Sequence, residues 1–136
     1  MKQRPADAAG IKEKDMFGFG RPPQIEGFEH KVMTVDEMKA SGALVVDIRT
    51  PPEWYQTGVI EGARLITFQD PQTFVAAIKD DIADGRDIVL VCRSGSRTQA
   101  AGMYLAQMLD NKVISAAGGM IEIAGRQGYQ PVAPAA

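Results

Sequence analysis

The sequence predicts an α/β domain with a mostly parallel central sheet and helices on both faces. Two observations carry that expectation. The apolar runs "ALVVDIR" (Ala43–Arg49) and "DIVLVC" (Asp87–Cys92) are rich in β-branched residues and lack polar alternation, so they read as strands buried on both faces. Segments of helical periodicity, each with its own start signal, lie between and after these runs, so strand and helix alternate along the chain.

Taken in order, residues 1–28 mix Lys, Asp, Gly and Pro without either periodicity and read as an N-terminal arm. Within it, Met16, Phe17 and Phe19 are apolar enough to dock on a surface. The domain proper is expected over residues 29–136. "TVDE" (Thr34–Glu37) has the form of a capping box, opening a short helix that runs to about Ala40 and stops before Gly42. The first buried strand follows and ends at Pro51 and Pro52, after which "PEWYQTG" suggests one helical turn. "ARLIT" (Ala63–Thr67) is short enough for a minor strand. Asp70-Pro71 starts the next helix, with Phe74, Ala77, Ile78 and Ile82 at helical spacing. After "DIVLVC", a helix over Thr98–Leu109 would turn Ala101, Tyr104, Leu105 and Met108 to one side. "KVISAAGG" supplies a third strand and a glycine turn. A last helix should run to about Gln127, with Gly128 at its C′ position.

Composition narrows the function classes. The 136 residues suffice for one domain with a real core. Fifteen basic and seventeen acidic residues are interspersed, leaving no basic stripe for nucleic acid. No apolar stretch approaches the roughly 20 residues of a membrane span. The first thirty residues lack a signal-peptide core, so a cytoplasmic location is expected, although an exported protein expressed without its signal would look the same. One cysteine and one histidine rule out an internal disulfide and a cysteine-based metal cage. No cofactor is expected.

That one cysteine, Cys92, sits where the second buried strand meets "RSGSR" and a helix start. Ligands of open α/β sheets bind beyond the carboxyl ends of the strands. Small and flexible residues after Cys92 let successive amides turn inward as an anion cradle. A free thiol has a pKa near 8.5 and is mostly protonated at neutral pH. A helix N-terminus favours an anion by up to about 2 kcal/mol, and a neighbouring arginine adds to that. At about 1.4 kcal/mol per pKa unit, the thiolate is expected to become the main species. The competing reading is a small buried hydrophobe, which explains neither the two arginines nor the Gly/Ser loop.

"CRSGSR" followed by a helix resembles the active-site loop of the single-domain rhodaneses, the thiosulfate sulfurtransferases. "VVDIRTPPEW" (Val45–Trp54) resembles that family's Asp-x-Arg strand with its downstream Glu-Trp. "GVIEGARLI" resembles its Gly-His-Ile-x-Gly-Ala segment, and "GGMIEIAGRQGYQPV" its closing Gly-Gly helix. The resemblance spans about Thr34 to Val132 and implies a rhodanese-like three-layer fold. Two departures, Val59 for the family's histidine and Ile123 for its tryptophan, fall at expected scaffold positions. The resemblance implies that Cys92 is the nucleophile and persulfide carrier. It places the amides of Arg93, Ser94, Gly95, Ser96 and Arg97 around the outer sulfur. Arg97 supplies positive charge and Arg93 helps to hold the sulfonate end of a donor. Asp47, Arg49 and Glu53 are implied as supporting charges, and an Arg49–Glu53 ion pair is expected beside the site. The implied partners are a thiosulfate-like donor and an external thiol acceptor, with a protein partner also open. His30 and Arg64 are expected at the surface.

Two rival functions remain. A rhodanese-fold cysteine phosphatase or arsenate reductase would need a wider loop, since phosphatase loops place five residues between cysteine and arginine. Here Cys92 and Arg97 enclose four. The other rival is a persulfide-carrying module serving a protein partner.

Overall fold

The computed structural model describes residues 24–135, and most of the expected N-terminal arm, including Met16, Phe17 and Phe19, lies outside them. Five strands, β1 (Phe28–Lys31), β2 (Leu44–Asp47), β3 (Arg64–Leu65), β4 (Ile88–Val91) and β5 (Val113–Ala116), form one sheet in the order β1-β5-β4-β2-β3. All four strand pairings are parallel. The helices are α1 (Val35–Ala40), α2 (Pro51–Thr57), α3 (Pro71–Ile78) and α4 (Ser96–Met108), followed by a π-helix over Ile121–Arg126. Among the described residues no helix is long and apolar enough to cross a membrane.

Successive strand residues point to opposite faces, and the core divides accordingly. Ile88, Leu90 and Cys92 join Val46, Ile48 and Val113 under α3 and α4, through Phe74, Ile78, Ala101, Leu105 and Ala106. Val89 and Val91 join Ile114 and Ala116 on the other face, beneath Val35 and Met38 of α1 and Met120 and Ile123 of the C-terminal segment. The helices on both faces of the sheet stand as read from the sequence, and with them the three layers that the resemblance implied. Every residue of β4 is fully buried, each large apolar side chain contributing about 1.5–3 kcal/mol, and this strand occupies the middle of the sheet.

The expected caps are present. The Thr34 amide donates to Glu37 Oε1 at 2.8 Å, and the Glu37 amide donates to Thr34 Oγ1 at 3.0 Å. Asp70 accepts from the Thr73 amide at 2.8 Å to start α3, of which Phe74 and Ile78 are buried while Ala77 faces solvent. Pro51 and Pro52 end β2 and open α2, which is longer than the single turn expected.

Three elements differ from the sequence reading. β1 went unrecognised because three of the four residues of "FEHK" are polar. It is an edge strand whose only apolar anchor is Phe28, recruited by pairing with β5. On α4, Tyr104 and Met108 are 62% and 42% exposed, and the buried stripe is Thr98, Ala101, Gly102, Leu105 and Ala106. The helix is turned toward its small residues: a Cβ on Gly102 would lie 2.5 Å from Phe28 Cε1, so glycine there makes room for the ring of β1. The last helix is π-helical, with the Gln127 amide bonded to Glu122 O five residues back at 2.9 Å, and Gly128 follows it at φ +77°.

Candidate active site

Cys92 follows the last residue of β4, at the carboxyl end of the central strand, with its side chain on the α4 face. Its thiol is free and 1% exposed. α4 begins at Ser96, so the helix N-terminus faces the sulfur, and the Gly95 amide donates to Sγ at 3.1 Å. Thr98, in the first turn of α4, lies with Oγ1 3.7 Å from Sγ. Burial pushes the Cys92 thiol up, but hydrogen bonds from the Thr98 amide and hydroxyl and from the Gly95 and Ser94 amides outweigh it. The net direction is down, toward thiolate. Helix amides and Thr98 do most of this work, and Arg97, expected beside the thiolate, also interacts with Cys92 through its charge.

The loop's shape depends on glycines in two segments. Gly95 has φ +96°, and a Cβ there would lie 2.9 Å from Gly118 N. Gly119 has φ +55°, and its Cβ would lie 2.4 Å from Cys92 O, inside contact distance. That close approach lets the Met120 amide donate to Cys92 O at 2.9 Å and the Ile121 amide to Arg93 O at 3.0 Å. The paired glycines after β5 thus hold the cysteine loop from the neighbouring segment.

Arg93, Ser94, Ser96 and Arg97 are exposed around the buried Cys92 and Gly95. Ser94 and Ser96 share a hydroxyl contact of 3.2 Å. Arg97 is bound in bidentate fashion by Glu53, Nη1 to Oε1 at 2.9 Å and Nη2 to Oε2 at 2.8 Å. The same carboxylate accepts from the Thr50 amide and hydroxyl at 3.1 and 3.0 Å, capping α2. The Arg97 guanidinium, opposed by burial and helped by the Thr50 hydrogen bonds, lowers the Glu53 carboxyl from its ordinary 4.5 to about 2.

The expected Arg49–Glu53 pair is therefore corrected. Arg49 pairs with Asp47, Nε to Oδ1 at 3.0 Å and Nη2 to Oδ2 at 2.8 Å. It also donates to Thr57 Oγ1 at 2.6 Å and Gly58 O at 2.8 Å, and the Trp54 indole donates to Asp47 at 3.2 Å. Asp47 and Arg49 stand two residues apart at the end of β2, on the same side, and both are 1% exposed. A buried guanidinium needs an equally buried counter-charge with its hydrogen bonds complete, and partly exposed Glu53 is not that partner. Arg64, as expected, is at the surface, paired with Asp81.

The rhodanese-like domain model matches residues 33–125. The chain belongs to that family. Among curated relatives of this rhodanese-like chain, a sulfurtransferase of Allochromatium vinosum is 41% identical over 91 residues, covering 67% of this chain and 79% of the relative. The thiosulfate sulfurtransferase GlpE of Pseudomonas paraeruginosa is 36% identical over 83 residues, covering 61% and 71%. A solved structure from Rhodopseudomonas palustris, of unknown function and suggested to be a tyrosine phosphatase, superposes with a TM-score of 0.60 at 22% identity. It covers 83% of this chain and 99% of its own, a likeness of fold alone. The two departures from the family pattern are packed scaffold. Val59 is 4% exposed and forms an antiparallel bridge with Val132, and Ile123 is 1% exposed.

Sequence reasoning did not assign Thr98, Ser115 or His30 to the site. One signal was available: Ser115 is a hydroxyl inside the apolar strand "VISA", and a buried hydroxyl has to find a partner.

Proposed function

We propose that the chain is a sulfurtransferase that moves a sulfane sulfur through a Cys92 persulfide. The Cys92 thiolate attacks the outer sulfur of thiosulfate or a similar donor. A new S–S bond forms, the donor's S–S bond breaks, and sulfite leaves with the electron pair. The anionic outer sulfur of the persulfide then rests among the amides of Arg93 to Arg97, the cradle that favoured the thiolate. Arg97 adds charge at its rim, and Arg93 meets the sulfonate end of the donor. A thiol or cyanide removes the sulfur and returns the thiolate. With no second cysteine in the chain, the acceptor is external.

The observation that carries this reading is the Gly95 amide 3.1 Å from Cys92 Sγ, beneath the N-terminus of α4. Four residues between Cys92 and Arg97 make a ring suited to one sulfur, whereas a phosphoryl group brings three further oxygens that need donors. Names of the curated relatives point the same way. Intact-mass analysis after thiosulfate treatment tests it. One added sulfur is expected, removed by cyanide or a reducing thiol and absent from Cys92→Ser. Hydrolysis of an aryl phosphate with no sulfur uptake would overturn the reading in favour of phosphatase chemistry.

A further inference from the structure

Four polar groups from four separate elements form a line through the interior. Cys92 Sγ lies 3.7 Å from Thr98 Oγ1, Thr98 Oγ1 lies 2.7 Å from Ser115 Oγ, and Ser115 Oγ lies 2.8 Å from His30 Nδ1. Cys92, Thr98 and Ser115 are at most 1% exposed, whereas His30 is exposed. The line therefore joins a buried thiol to an imidazole at the surface. The ring is also packed against the cysteine loop, since a Cβ on Gly95 would lie 3.4 Å from His30 Cε1.

A thiol must lose its proton before it can act as a nucleophile, and the receiving group must be within hydrogen-bond reach. We propose that Thr98, Ser115 and His30 are positioning residues that form the proton outlet of Cys92, with His30 as the solvent end, and that the hydrogen bonds they turn toward the sulfur hold its thiolate. This rests on reading Cys92 as the nucleophile. As the Sγ–H bond breaks, its proton passes to Thr98 Oγ1. The Thr98 hydroxyl proton passes to Ser115 Oγ, and the Ser115 proton passes to His30 Nδ1. The imidazole then releases the proton on Nε2 to water. One proton enters the line and one leaves, and nothing is oxidised or reduced.

The two end states differ in hydrogen-bond direction. With the thiol, both hydroxyls donate away from sulfur, toward the ring or to Gly95 O, which lies 3.1 Å from Thr98 Oγ1. With the thiolate, Thr98 donates to sulfur, Ser115 to Thr98, and the ring Nδ1–H to Ser115. The tautomer of the ring is thereby tied to the proton on the sulfur.

Charged groups near the ring are engaged with one another. Glu29 and Lys31 flank His30 in β1 and pair at 3.0 Å, and Lys112, ahead of β5, reaches Glu29 at 3.0 Å. Near the sulfur, Arg97 is held by Glu53 and Asp47 by Arg49. Arg93 faces solvent, and Glu122, beside Gly118, accepts from Gln127. Among these described groups the imidazole alone lies on the line of hydroxyls.

The chain's only cysteine makes the test direct, because the thiolate's ultraviolet absorbance reports Cys92 alone. In Ser115→Ala, which cuts the line, the titration midpoint of Cys92 should rise by about one pH unit, and alkylation by iodoacetamide at neutral pH should slow up to about tenfold. His30→Phe fills the place of the ring but offers no hydrogen bond to Ser115, and should move both readouts in the same direction. Glu29→Gln, next to His30 but off the line, should not raise the midpoint. Thermal unfolding identifies the variants that fold. If Ser115→Ala does not fold, His30→Phe decides alone. Wild-type midpoints in the folded variants, or an equal rise in Glu29→Gln, overturn the outlet. Thiosulfate loading of the wild type is read separately by mass, so loading with unmoved midpoints sinks the outlet alone. Moved midpoints without loading sink the sulfurtransferase reading and leave the outlet standing.

Discussion

Two arginine–carboxylate pairs stand at adjacent strand ends and look alike in the sequence, yet their surroundings give them different work. Arg49–Asp47, at the end of β2, has side-chain exposures of 1% and 2%, and Thr57, Gly58 and Trp54 complete its hydrogen bonds. Arg97–Glu53, between α4 and α2, has exposures of 44% and 26%. Removing one partner of a buried pair leaves an uncompensated charge and costs about 3–5 kcal/mol, whereas an exposed pair contributes roughly 0–1 kcal/mol. The inner pair is therefore scaffold. The outer pair holds little of the fold, but it fixes the side chain of Arg97, which the proposed function sets at the rim of the sulfur cradle. Depth, more than geometry, separates a structural ion pair from one free to serve the proposed chemistry.

The largest test of that contrast is Arg49→Leu. It leaves the Asp47 carboxylate buried without its guanidinium, and urea unfolding should register a loss of about 3–5 kcal/mol. A loss below about 1 kcal/mol would put both pairs in the same class.

Gly119→Ala should come next. The added Cβ meets Cys92 O at 2.4 Å from a backbone at φ +55°, so the cysteine loop or the C-terminal segment must shift. Strain of this kind costs about 1–3 kcal/mol, and sulfur loading should fall more than stability does, because the displaced carbonyl belongs to Cys92 itself. Loading at the wild-type rate in the folded variant would show that the paired glycines do not shape the site.

Glu53→Gln addresses the outer pair alone. Unfolding free energy should change by no more than about 1 kcal/mol. Sulfur transfer should slow by about tenfold, roughly 1.4 kcal/mol in the barrier, as Arg97 loses its anchor. Arg97→Ala should slow transfer similarly, with Arg97→Lys recovering part through charge without the planar fork. Acid should expose the same link. Folding depresses Glu53 from 4.5 to about 2, so the pair's contribution is present above the unfolded-state value. It is lost as pH falls from about 4.5 toward 2, and Glu53→Gln should flatten that part of the stability profile. An unchanged profile would remove Glu53 from the account.

The smallest effect is expected from deleting residues 1–23. Gly27 O accepts from the Val113 amide at 2.8 Å and Ile25 packs on the core, so a cut before Gln24 spares β1 and its lead-in. Sulfur loading should stay within about twofold of the full chain. Loss of loading in a folded protein would place the N-terminal arm at the site.

The sequence by itself determined the alternation of strands and helices, the buried central strand ending at Cys92, both well-formed caps, and the glycines that turn the loop. Each of these is local. Apolar runs, side-chain-to-amide caps and positive φ leave their mark within a few residues. Only the tertiary structure decided which charge meets which, that "FEHK" is a strand, and that α4 turns Gly102 and Ala106 inward in place of Tyr104 and Met108. It also joined Thr98 to Ser115 and Ser115 to His30, positions 17 and 85 residues apart in the chain. Such pairings are set by sheet order and depth of burial, and neither quantity is a property of any short stretch of sequence.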